Sequence, residues 1–223
     1  MEENVGENIK NAFFLVSETF KECSFFLQDF KKYMVDEKDF KDLLGDSGVQ
    51  TKTSNSIEEP EDWMPRWVSA FFNKKEQKEI FPLLSLTLSF LGLNDKGSKD
   101  KKEVIPVTPV VILGLSRGMN HEKAKHNWQH GWFDKIFWNQ DSAFKYDSIE
   151  NENLVDIESP NKHLRKMIRF SCKYGDDSYA WPKKGVFWAD SLVEIKDYDQ
   201  IRQLGDRANE IWNKYSDSDL LIA

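Results

Sequence analysis

LSLTLSF, residues 84–90, puts Leu84, Leu86, Leu88 and Phe90 on one side of an extended chain and Ser85, Thr87 and Ser89 on the other. A period of two marks a strand whose two faces differ in polarity; on a helix the same leucines would be scattered around the axis. The following NDKGSKDKKE, residues 94–103, interleaves lysines with acids, so its local charge nearly cancels and it reads as a solvated hairpin connection. VVILGL, residues 110–115, then returns apolar on both faces, as a strand in the middle of a sheet does. Two more strand patterns, at 167–174 and 185–195, are joined by a turn containing Gly175 and Pro182 and are expected to pair antiparallel.

Outward from these strands the period changes. Ile9, Phe13, Val16, Phe20, Cys23, Leu27, Phe30 and Met34 recur in steps of four and three, which predicts a helix from about residue 4 to 35. Phe14, Phe25, Phe26 and Tyr33 widen its apolar face, and the seam is expected to be buried along its length in the fold. A coiled-coil homodimer through this helix is the alternative. At the other end, Ile201, Leu204, Ala208, Ile211 and Tyr215 form one face of a helix over about 199–215, with Asp197 or Asp199 able to cap its start. Trp63, Trp67, Ala70 and Phe71 suggest a short helix with Pro65 in its first turn. Residues 45–62 and 141–163 are polar and read as a loop or linker and an irregular loop. The fold expected is a single α+β domain over 1–223, in which a mostly antiparallel sheet of four or five strands is covered by the long N-terminal helix and the C-terminal helix.

Composition narrows the functional classes. With 223 residues, a 39% hydrophobic fraction, sixteen Phe and eight Trp, the chain has ample apolar area for a packed core. A net charge of −7 argues against extensive nucleic-acid binding, which needs a broad positive field, and leaves room only for a local basic patch. Cys23 and Cys172 share no metal-ligand or redox spacing and read as free thiols in a reducing interior. The first ten residues lack the pattern of a secretory signal, and the apolar run at 104–115 is short and broken by prolines, so a cytoplasmic, membrane-free protein is expected.

Three stretches invite a chemical reading. GLSRG, residues 114–118, matches the G-x-S-x-G of a nucleophile elbow, with Ser116 as nucleophile and His163 as a later base. The strand-helix units that such a hydrolase sheet requires upstream are missing, so Ser116 reads as structural. Asp190, Glu194 and Lys196, placed on one face by strand alternation, imitate the carboxylates and lysine of a Mg²⁺-dependent nuclease, but the same alternation is how a half-buried strand shows polar groups to water, and they read as solvated strand residues. HEKAKHNWQHGWFDKIFW, residues 121–138, sets His126 and His130 four apart, a weak metal-ligand spacing. Its tryptophans suit a recognition surface, made of Arg117, His121, His126, Trp128, His130, Trp132 and Trp138; the alternative is that Trp128, Trp132 and Trp138 pack inward, bridging the sheet to the terminal helices. The function expected is a non-enzymatic binding or interaction protein for a protein or small-molecule partner, without a cofactor; a serine hydrolase on Ser116 or a nuclease on Glu194 and Lys196 are the enzyme alternatives.

Overall fold

A helix of 33 residues opens the chain, α1 (Val5–Glu37). In the computed structural model, residues 5–45, 48–51, 65, 67–79, 82–90, 109–117, 144–149, 164–172 and 183–218 are described. The strands are β1 (Phe40–Asp42), β2 (Gln50–Thr51), β3 (Trp67–Lys74), β4 (Leu83–Ser89), β5 (Val110–Arg117), β6 (Phe144–Ser148), β7 (Met167–Cys172) and β8 (Lys184–Ser191). A short 3-10 turn, Leu192–Glu194, leads into α2 (Tyr198–Tyr215), whose N-cap Asp197 accepts the Gln200 backbone N–H at 2.9 Å.

The strands form one sheet in the order β1-β3-β4-β5-β8-β7-β6, with β2 sharing the outer edge of β3 with β1. Every pairing among the described residues is antiparallel. The α+β architecture and the antiparallel β7–β8 pair agree with the sequence reading, but the sheet has eight strands in seven positions rather than four or five. The differences have physical causes. Residues 67–71 form part of β3, not a helix, because Trp67, Ala70 and Phe71 have a spacing that a strand buried on both faces also supplies. β6 lies within the expected irregular stretch 141–163; among the described residues it pairs on one side only, with β7, and so carries little apolar signal. β1 and β2 are three and two residues long, too short to show a period.

Alternation sorts each strand into two faces. Val68, Ala70 and Phe72, then Leu84, Leu86 and Leu88, then Val111, Leu113 and Leu115 pack with Leu27, Phe30 and Met34 of α1 and with Leu204, Ala208, Ile211 and Trp212 of α2. Both helices therefore lie on one face. The far face is also buried: Trp67, Phe71, Ile112, Phe187 and the hydroxyls of Ser85 and Thr87 are all within about a hundredth of fully covered. The polar side of the 84–90 pattern is thus an interior layer, in which Thr87 Oγ1 meets Ser69 Oγ at 2.6 Å. A buried hydroxyl pair of this kind is tolerated because each satisfies the other.

The helices contact each other where Gly205 faces Tyr33; a methyl at Gly205 would lie 2.4 Å from the Tyr33 ring, so close approach requires glycine. The Tyr33 hydroxyl donates to Asp206 Oδ1 at 2.8 Å, and the Lys38 ammonium meets the same oxygen at 2.5 Å. Lys38 first, and then Tyr33, hold the Asp206 carboxyl below the usual carboxylate range against the opposing effect of burial. Asp39, two residues past the end of α1, has a left-handed φ of 61°, and lysines supply donors around this end, Lys75 Nζ to the Val35 carbonyl in the last turn at 2.7 Å and Lys74 Nζ to the Lys38 carbonyl just beyond it at 2.6 Å.

Lys31 carries a different load. Its ammonium sits in the interior against Asp42 Oδ2 at 2.6 Å and donates to the Gly45 carbonyl at 3.0 Å and to the Gly48 carbonyl. Two hydrogen bonds to backbone carbonyls and one ion pair tie the turn after β1 to the side of α1.

Helix and sheet differ in length. At about 1.5 Å per residue α1 is roughly 50 Å long, whereas an eight-residue strand spans only about 26 Å. The C-terminal half of α1 occupies the sheet, and Phe20 reaches Phe90, just past the end of β4, with ring centroids 5.4 Å apart. The residues before it run beyond the sheet. The expected burial of the whole seam is corrected here: Leu27, Phe30 and Met34 are buried, but Ile9 and Phe13 are exposed.

Candidate interaction surfaces

Ser116 lies inside β5, not on a turn after it. Its backbone is held in the ladder between Leu83 of β4 and Gly185 of β8. The side chain is fully buried on the far face, and Oγ makes no hydrogen bond among the described residues. A nucleophile elbow instead presents its serine on a strained, open turn with a base in reach. The adjacent Gly185 is a packing requirement, since a methyl there would lie 2.3 Å from the Leu115 carbonyl oxygen. Replacing a buried hydroxyl that lacks a partner removes a desolvation cost, so Ser116→Ala is expected to leave stability unchanged or raise it by about 1 kcal/mol in urea unfolding. A loss larger than that would show that Oγ is satisfied after all.

The nuclease-like triad separates. Asp190 is in β8, but the strand stops at Ser191, Glu194 falls in the 3-10 turn and Lys196 in the segment before α2. The expected single strand through all three is therefore corrected: alternation ends before it can align Glu194 and Lys196 with Asp190. The Asp190 carboxylate is engaged by Arg165 Nε at 3.0 Å from both oxygens, while Glu194 and Lys196 are exposed. No group of three metal-ligating side chains occurs among the described residues. Cys23 packs half-buried against the core, and burial, then Glu22, pushes its thiol pKa up, away from a reactive thiolate.

His121, His126, Trp128, His130, Trp132, Trp138 and His163 lie outside the described residues. Of the proposed recognition surface, Arg117 alone is described; it closes β5, half-buried, directly opposite Lys184.

The surface that sequence reasoning assigned to the core is the projecting half of α1. Val5, Ile9, Phe13, Phe14 and Leu15 are each more than half exposed, with Phe13 at 72% and Leu15 at 67%. Ile9, Phe13, Val16 and Phe20 continue, without a break in spacing, the seam whose later members Leu27, Phe30 and Met34 are in the core. Glu18 and Lys21 pair with each other at 3.5 Å on the opposite side of the helix. Ala12, Ser17 and Thr19, which border the seam, are small and uncharged. None of the described helices is long and apolar enough to cross a membrane.

No protein-family model, curated protein or solved structure matches this chain.

Proposed function

We propose that this protein is a non-catalytic interaction module that associates with further copies of itself through the projecting half of α1. The observation that carries the reading is the unbroken four-three seam ahead of the sheet, in which Ile9 and Phe13 are exposed and Val16 is half-buried. A contiguous apolar surface of this kind marks an association site. The period of 3.5 is the one that keeps a seam facing a partner helix, and Ala12, Ser17 and Thr19 beside it are small enough to let a second helix approach. Phe14 and Leu15 lie on the other side of the helix, one turn before Glu18, and offer apolar area to a second neighbouring helix. Ser116 is structural in this reading, and the sheet serves to hold the helix rigidly.

Deleting residues 1–19 tests the proposal, because burial on the sheet begins in the part of α1 that the deletion keeps. The truncated chain is expected to stay folded, with the same midpoint of denaturant unfolding at low concentration, and to run as a monomer on a calibrated sizing column. A truncated chain that still associates would place the interface elsewhere.

A further inference from the structure

Where β5 ends, four residues form a straight row across the face on which the helices pack. Arg117 of β5 stands opposite Lys184 of β8, Lys184 opposite Ser171 of β7, and Ser171 opposite Lys145 of β6. With neighbouring strands about 4.8 Å apart, the row is roughly 14 Å long. The helices do not bury it: Arg117, Lys184 and Ser171 are partly exposed and Lys145 is exposed. None of the three cations pairs with a carboxylate among the described residues. The acid in the adjoining row, Asp147, is already taken by Arg169 at 3.4 Å.

Like charges directly opposite each other on a sheet cost stability. Arg117 and Lys184 are such a pair, and burial together with the Arg117 charge lowers the Lys184 pKa. In a chain with a net charge of −7, three cations in one row with no carboxylate partner among the described residues are an arrangement that folding alone does not favour. An anion lying along the row would remove the repulsion. A single phosphate cannot touch both ends of a 14 Å row, whereas a linear polyanion can follow it, with the Ser171 hydroxyl as a neutral donor between the charged groups. We infer that Arg117, Lys184, Ser171 and Lys145 bind the phosphodiester backbone of a nucleic-acid strand laid across β5, β8, β7 and β6. The contact is local and independent of base sequence, which agrees with the absence of a broad positive field. It is also separate from α1, so it stands or falls apart from the self-association.

The test is fluorescence anisotropy of a labelled twenty-nucleotide oligothymidylate with the full-length protein. Saturable binding is expected at 50 mM salt, weakening about 20-fold by 200 mM, because three cations on a single strand give a logarithmic salt slope of about −2. Lys184→Glu is expected to lose at least tenfold in affinity while its thermal midpoint holds or rises, since a carboxylate opposite Arg117 replaces repulsion with attraction. Lys145→Glu, at an exposed site, is expected to weaken binding without touching the fold. No saturable binding, unchanged affinity in both variants, or displacement of the probe by polyglutamate as readily as by unlabelled oligothymidylate would overturn the assignment.

Discussion

Lys31→Met is expected to lower the free energy of unfolding by about 3–5 kcal/mol, the cost of leaving one member of a buried ion pair without its partner. The side chains of Lys31 and Asp42 are 7% and 5% exposed, so water cannot take over the role of the lost ammonium. The Gly45 and Gly48 carbonyls lose their donor in the same step. Against a total stability of 5–15 kcal/mol for a typical domain, the change is large. It would appear as a lower urea midpoint at unchanged slope. Adding Asp42→Asn should restore part of the loss, because the amide oxygen can still accept from the Leu44 N–H, which Asp42 Oδ1 now does at 2.9 Å, while the uncompensated charge is gone. A single variant as stable as the wild type would mean that the pair is solvated.

The double substitution Ile9→Glu/Phe13→Glu is expected to do the opposite, sparing the fold and abolishing association. Neither side chain belongs to the buried core, so the unfolding midpoint of the dissociated chain should not move. In the assembly each buried Ile or Phe contributes about 1.5–3 kcal/mol, and both copies lose two of them, so association should weaken by roughly 10⁴-fold or more. Carboxylates brought face to face across the seam would add repulsion. Sizing chromatography over a range of loading concentrations reads the effect; loss of folded protein would instead place Ile9 and Phe13 in the core.

What the sequence revealed, and what it hid, follows from how each element is buried. α1, α2 and β4 announce themselves through periods of 3.6 or 2, β5 through a short apolar run that ends at glycine, and Asp197 announces the cap of α2. β3 does not, because it is covered on both faces and its apolar residues show no period. β6 and the short β1 and β2 owe their extended form to neighbours far along the chain, which local pattern cannot reveal. The charge row is equally non-local: Arg117, Lys145 and Lys184 become neighbours only through the register of four strands. The exposure of Ile9 and Phe13 was within reach of arithmetic, since a helix of some 30 residues outruns any strand of eight; the seam reads the same whether its partner is the chain's own sheet or another copy. Ser116 shows the limit of a short motif, because G-x-S-x-G specifies residue types and not whether the serine sits in a ladder or on a turn.

Sedimentation equilibrium of the full-length protein over a hundredfold range of concentration decides whether copies of the chain meet through α1. Self-association through α1 predicts a mass of at least twice the 26.2 kDa of one chain at the higher concentrations, falling to one chain mass in Ile9→Glu/Phe13→Glu. A single-chain mass for the wild type throughout, at concentrations where the protein is folded, would contradict it.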